Sequence, residues 1–262
     1  MCQMPYDKIM LKKENCAFMN YRSAIKFLIM VAFLCASAGC DSGNEALSLD
    51  QLIAKSRQAY VDGKVDNAIK LYKQAIKRSP NSSDLHYELG FLYHEEWRKS
   101  HEAAQFKLLQ EYLARGAKKD YQADEKLLID NGYKKEYYDL AFAEFTEAVR
   151  LDPSNWRARY YIAIDLFNDK KYEQAIVELK EVVKLRPDYS SGYTLLGEAY
   201  LNIGKYQLAV DTLEKARDLH PVANHYYILG QAYKKMNNRK KVDEMVNILK
   251  EMKSDFADRL RG

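Results

Sequence analysis

The chain has no cysteine after position 40. Its four cysteines, Cys2, Cys16, Cys35 and Cys40, crowd one end, so no disulfide or thiolate metal site can brace the rest. It also lacks charge of one sign. The formal net charge is +4, and the first 39 residues hold five basic and two acidic side chains, which leaves 36 against 35 for the remainder. A body so close to neutral offers no electrostatic case for nucleic acid. There is no long apolar run, since the stretch from Phe27 to Ala36 falls short of the roughly 20 residues that a membrane span needs.

Catalytic signatures are missing too. Gly63-Lys64-Val65 and Gly204-Lys205-Tyr206 lack the preceding glycines and the hydroxyl residue of a phosphate loop. His94-Glu95 opens like a zinc-protease helix, but Arg98 stands where the second histidine belongs. His86, His94 and His101 lie at loosely helical spacing, and ordinary surface histidines are the expectation there rather than metal ligands. The chain is therefore expected to be no enzyme, to hold no cofactor or metal, and to take no small-molecule substrate. Apolar residues make up 47% and charged residues 30%, a mixture that buries a core and argues against disorder.

The N-terminus reads as an address. Arg22 and Lys26 precede the apolar FLIMVAFLCA, and Ser37, Ala38 and Gly39 lead into Cys40: a basic end, a short greasy core, then small residues at a cut. The segment resembles a bacterial lipoprotein signal, which implies that Cys40 is lipidated and becomes the new N-terminus. An uncleaved signal anchor and a plain secretory cut are the alternatives. Counted from Met19 the signal has ordinary proportions, so Met19 is the expected start of translation. Residues 1–39 are then the signal region and 40–47 a lipidated polar tether. Asp41 resembles an inner-membrane retention signal, and inner or outer membrane stays open. Lipid processing supplies the two or three acyl chains that stable anchoring requires.

What the mature part has is a period. Pro153, Pro187 and Pro221 are spaced by 34, as are Ala141, Ala175 and Ala209, and Tyr138, Tyr172 and Tyr206. Ala148, Val182 and Ala216 keep the same step. A large-small pair marks a first helix in each unit: Leu89-Gly90, Ile162-Ala163, Leu196-Gly197 and Leu229-Gly230. A turn follows, then a second helix with its own small residue, then a proline that cannot continue it. Each unit is expected to be a helical hairpin. Residues 193–221, YTLLGEAYLNIGKYQLAVDTLEKARDLHP, resemble a tetratricopeptide repeat, and the resemblance covers about 48–96 and 136–252. It implies an all-α solenoid of about five hairpins wound as a right-handed superhelix over 48–262. The first unit is weak in its first helix, where Lys55 and Ser56 replace the large-small pair. The last has Val242 and Leu249 in place of alanines, with Phe256 and Leu260 expected to cap it within about 253–262.

The second unit is split by 39 residues, 97–135. Its first helix is expected to end near Glu96 and its second to resume at Glu136. Phe106, Leu109 and Leu113 follow helical spacing, Gly116 and Asn131-Gly132 look like helix stops, and Leu127, Leu128 and Ile129 precede the latter. The expectation is an extra helical pair on one edge, serving either as decoration of the scaffold or as a contact for a partner.

The resemblance assigns a concave groove to the first helices. In the second unit it falls on Tyr87, Phe91 and His94, and in the third on Arg157, Tyr160, Ile164, Phe167 and Asn168. In the fourth it falls on Thr194, Glu198, Leu201 and Asn202, and in the fifth on Tyr227, Gln231, Lys234 and Lys235. A groove aromatic at one end and polar at the other suits an extended peptide or an amphipathic helix of a protein partner. The family's Lys and Asn clamp for a terminal carboxylate is absent, because those positions carry mostly Tyr and Thr. The leading expectation is a lipid-anchored interaction scaffold in the bacterial cell envelope, with its array in the periplasm. The alternative is an accessory subunit of an export or polysaccharide machine that docks through 97–135.

Overall fold

The structure is a computed structural model that describes residues 47–114 and 125–262. The expected signal, Met19, Cys40 and Gly116 lie outside the described residues. Twelve helices follow one another among the described residues: α1 (Leu49–Val61), α2 (Val65–Arg78), α3 (Ser83–Ala114), α4 (Glu125–Asp130), α5 (Lys135–Leu151), α6 (Trp156–Asn168), α7 (Tyr172–Leu185), α8 (Ser190–Asn202), α9 (Tyr206–Leu219), α10 (Ala223–Lys235), α11 (Arg239–Glu251) and α12 (Phe256–Arg261). α1 pairs with α2, α3 with α5, α6 with α7, α8 with α9 and α10 with α11, and each second helix packs on the next first helix. The result is a solenoid of helical hairpins.

The small residues of the period are where helices meet. Ala141, Ala175 and Ala209, and Ala148, Val182 and Ala216, are fully buried. A Cβ placed on Gly90 would stand 2.9 Å from the Phe145 ring, and one on Gly197 would stand 2.5 Å from Leu213 Cγ. The missing side chain is the hole that the partner helix fills. Ser56 does the same in the first unit: it is fully buried, and its hydroxyl donates to the Leu52 carbonyl at 2.7 Å. That bond removes the penalty a buried hydroxyl would otherwise carry.

Four of the five first helices, α1, α6, α8 and α10, end in one motif. The backbone N–H of Lys64 donates to Ala59 O at 2.8 Å, Lys171 to Leu166 at 2.8 Å, Lys205 to Tyr200 at 2.9 Å and Asn238 to Tyr233 at 3.0 Å. The preceding residue takes a left-handed conformation, at Gly63, Lys170, Gly204 and Asn237. This six-to-one closure reverses the chain in two residues and sets the second helix antiparallel to the first.

The insertion departs from expectation. α3 does not end near Glu96 but runs on unbroken to Ala114, because residues 94–114 hold neither glycine nor proline to stop it. The extra element is thus a long extension of α3 with the six-residue α4 laid against it. Its inner face is Ala104 and Leu108 against Leu128, with Tyr133 beside them, whereas Phe106 and Leu113 point outward. An i, i+4 pair near the root outcompetes the larger residues, since α4 is too short to cover both faces. Asn131-Gly132 is a stop, as expected. Gly132 has φ +97° and Tyr133 N–H donates to Leu128 O at 3.0 Å, the same closure that ends a first helix.

At the C-terminus α12 packs on α10 and α11. Leu260 and Ala257 are buried, Leu260 lies over Gly230, and Phe256 stacks on Tyr227 at 4.7 Å.

Candidate functional site

The first helices α1, α3 and α6, with Phe145 of α5 and Tyr189 just before α8, carry a seam of rings across neighbouring units. Tyr60 meets Phe91 edge to face at 6.3 Å, and Phe91 meets Tyr161 at 5.9 Å. Tyr161 lies flat on Phe145 at 4.9 Å, with Tyr87 at 6.2 Å. Tyr160 continues the seam by meeting Tyr189 at 5.1 Å and 85°, and Tyr189 meets Trp156 at 4.9 Å. Tyr60, Tyr87, Phe91, Tyr160, Tyr161 and Tyr189 are only partly buried. Aromatic edges that keep some exposure supply large contact area at little entropic cost.

Tyr160, Tyr161 and Glu198 retain exposed surface. Desolvation nevertheless pushes both phenols above their usual range and the Glu198 carboxyl up to about 7.

Of the remaining groove positions, Ile164, Phe167 and Leu201 are partly exposed and Asn168 and Asn202 are exposed. Phe167 is braced edge to face by Tyr172 at 5.2 Å, and Asn202 donates to its own helix at Glu198 O. Arg157 is exposed but lies over Trp156 at 5.3 Å, which Arg186 also covers at 4.6 Å. Thr194 is tied to Ser190 O and, at 2.9 Å, to the buried His225. In the last unit Gln231 is partly exposed and Lys235 exposed, Lys234 reaches Leu260 O at 3.4 Å, and Tyr227 is covered by Phe256 and by Arg259 at 5.1 Å. Tyr227 belongs to the cap contact rather than to an open groove. Among the seam residues that the column reading missed are Tyr161, Tyr189 and Trp156. Tyr161 sits next to a groove position, and the other two lie at or before a helix start, where the repeat pattern assigns nothing.

His94 is a correction. It is 6% exposed, not a groove residue, because one helical step turns it inward against Trp97 at 5.2 Å and Tyr161 at 4.9 Å. Its Nε2 stands 3.9 Å from Oδ1 of the fully buried Asp165, too far for a direct hydrogen bond, and neither side chain has a hydrogen-bond partner among the described residues. Burial pulls His94 down to about 4 and pushes Asp165 up to about 8, the latter helped by Asp169. The pair is thus held with one proton near neutrality.

The three histidines do not converge. His86 pairs with Glu144 at 2.6 Å, His94 faces Asp165, and His101 stacks on Trp97 at 5.9 Å. Among the described residues no group of three His, Cys, Asp or Glu side chains is placed to hold a metal ion.

Comparisons with known proteins agree on the architecture. A family model described as "TPR repeat" matches residues 59–96 and 165–204, and one described as "Tetratricopeptide repeat" matches 194–235. No curated protein matches the chain. Among solved structures, MamA from Desulfovibrio magneticus RS-1 is 19% identical with a TM-score of 0.58, covering 79% of this chain and 97% of its own. YrrB, described as a TPR protein with an unusual peptide-binding site, is 16% identical with a TM-score of 0.58, covering 92% and 98%. Likeness at such identity concerns the fold alone. The periodic columns, the hairpin closures and these matches make the chain a tetratricopeptide-repeat protein.

Proposed function

We propose that this protein is a non-enzymatic interaction scaffold that takes up an extended peptide or an amphipathic helix of a protein partner along the first-helix face of α3, α6 and α8. The observation that carries the reading is the partly exposed seam of Phe91, Tyr161, Tyr160 and Tyr189 running across units. Rings fixed by one another lose little freedom when a partner covers them. The peptide-binding description of YrrB supports the same use of the fold. The Arg22-to-Cys40 signal pattern supports a place in the bacterial envelope, with a lipid on Cys40 tethering the array to a membrane and an envelope complex as the setting.

In-cell crosslinking tests both parts. A Tyr160→Ala/Phe167→Ala double variant is expected to lose a defined subset of the proteins that the wild type captures, and an unchanged set overturns the groove reading. Metabolic labelling with a fatty acid is expected to mark the wild type and not Cys40→Ser; equal labelling overturns the tether.

A second reading has its own observation. The extension of α3 and α4 exposes Phe106, Leu113, Leu127 and Ile129, with Phe106 60% and Leu113 61% exposed. Such a density of apolar surface on one element marks interaction surfaces, and suits an accessory subunit docking on an export or polysaccharide machine. Deleting the projecting element while keeping the repeats separates the two, because loss of every partner favours docking through it.

A further inference from the structure

We propose that the partner segment is an amphipathic α-helix of about 22 residues, with large apolar side chains at seven-residue steps, that lies along the groove face of α3 from Phe91 out to Leu113. This rests on the groove reading above: it joins the ring seam and the projecting element into one docking surface and chooses the helix over the extended peptide.

One line of side chains on α3 faces the second helices. Gly90 lies against the Phe145 ring, Tyr93 meets Tyr137 at 5.3 Å and Trp97 meets Tyr138 at 5.1 Å, all on α5. Further out on the same line, Ala104 and Leu108 pack on Leu128 of α4. The short α4 thus continues the layer of second helices, and the extension of α3 continues the layer of first helices.

The opposite line begins in the groove. Phe91 meets Tyr60 of α1 and Tyr161 of α6 and stays partly exposed. At about 3.6 residues per turn, Leu109 stands about five whole turns beyond Phe91, and Phe106 and Leu113 fall within about 60° of the same line. Leu109 is partly exposed, and Phe106 and Leu113 are exposed. The apolar stripe of the projecting element is therefore the groove face carried outward. Glu95 and Glu102 share that line, but Arg98 holds both, at 2.9 and 2.7 Å. Ala103 and Gln110 beside the stripe are uncharged. With its charges met within the helix, this face calls for apolar contact.

The spacing selects the backbone of the occupant. Phe106 and Leu113 on α3, and Tyr160 and Phe167 on the neighbouring α6, are each seven residues apart, about 10.5 Å along a helix. A partner helix brings side chains back to one face after the same seven residues. An extended peptide does so every second residue, about 6.8 Å, and falls out of step with both pairs. The platform is also fixed in advance. Lys134 N–H donates to Ser100 Oγ at 3.0 Å and Trp97 Nε1 to the Tyr133 hydroxyl at 2.8 Å, so the projecting element is tied to the array at its root. A partner then bears little of the cost of ordering it.

Phage display on the purified full chain tests this, with one library of helical peptides three heptads long and one of unstructured twelve-residue peptides. The expected result is a leading helical peptide with Leu, Ile or Phe enriched at seven-residue steps. Its affinity falls at least about tenfold against Phe106→Ser/Leu113→Ser, and likewise against Tyr160→Ala/Phe167→Ala. A proline at the centre of the peptide has an effect of the same size. Phe106→Ser/Leu113→Ser is expected to melt within about 1 °C of the wild type, because neither side chain is buried, so that lost binding is not lost folding. If only the Tyr160/Phe167 variant weakens binding, or if binders come from the unstructured library alone, this inference fails and the groove reading stands. Unchanged affinity of the proline peptide overturns the helix. If only the Phe106/Leu113 variant weakens binding, if neither does, or if no peptide is selected, both fail. A wild-type dimer in sedimentation that Phe106→Ser/Leu113→Ser turns into a monomer, with the peptide bound as before, assigns the stripe to a second copy of the chain and overturns the inference.

Discussion

His86 and Arg159 perform the same task in successive units. The His86 ring lies 3.1 Å from the Pro80 carbonyl and 2.6 Å from the Glu144 carboxylate, and the Arg159 guanidinium lies 2.9 Å from the Pro153 carbonyl and 2.6 Å from Glu178. Each joins the closing proline before its unit to the second helix within it. The brace is a repeat feature built from two different side chains.

His86→Arg is therefore expected to preserve stability, whereas His86→Ala costs about 1–3 kcal/mol by leaving Glu144 partly buried without its partner. Urea titrations of the two variants decide this. Equal destabilisation by Arg and Ala would show that the brace is not shared.

The Gly197 hole predicts a coupled pair. A methyl group 2.5 Å from Leu213 Cγ forces the helices apart, so Gly197→Ala is expected to cost about 1–3 kcal/mol. Leu213→Ala alone leaves a cavity and costs about 2–5 kcal/mol. The double variant should be destabilised by less than the sum, since each change relieves the other. Strict additivity in thermal melts would contradict the packing.

His94 and Asp165 make stability depend on pH in one window. Unfolded, the histidine releases its proton near 6.5 and the aspartate near 4, so above about 6.5 the unfolded pair holds none. Folded, Asp165 keeps its proton to about 8 while His94 is neutral above about 4. Between about 6.5 and 8 the folded pair therefore binds one proton more, and stability falls as pH rises, by on the order of 1–2 kcal/mol. Below 6.5, down to about 4, the counts are equal and the contribution is flat. Asp165→Asn should remove the decline. Arg98 and Glu95 beside His94, and Asp169 and Tyr138 beside Asp165, are the charged and titratable neighbours to hold constant. A wild-type profile without a decline between pH 6.5 and 8 would sink this account.

The projecting element should fail alone. Ala104, Leu108 and Leu128 form a cluster separate from the main core, joined to it by the Trp97 Nε1 bond to the Tyr133 hydroxyl at 2.8 Å. Leu108→Ala is expected to raise hydrogen exchange in 101–114 and 125–133 without lowering the melting temperature of the repeats by more than about 1 °C. Cooperative loss of the whole array would show that the element is part of the core.

The hairpins were legible because a repeat makes each contact several times, whereas the end of α3, outside the repeat pattern, was not. A small residue every 34 positions can mean only a recurrent close approach. Turn chemistry was legible at Gly63, Gly132 and Gly204, where the left-handed conformation favours glycine, but not at Lys170, which accepts it against its preference, nor at Asn237, whose short polar side chain tolerates it. The groove was half legible. Tyr160 and Phe167 could be placed by register, yet register assigns a face and not a depth, so His94 was placed on the surface and Tyr161 was passed over.

The sequence by itself determined the fold: periodic small residues, prolines and turns are local signals, and repetition multiplies them. The tertiary structure alone decided how the insertion is built, which rings form the seam and that Tyr227 lies against the terminal helix. These depend on contacts between residues far apart in the chain. No local pattern encodes the distance between two helices or the solvent left between them.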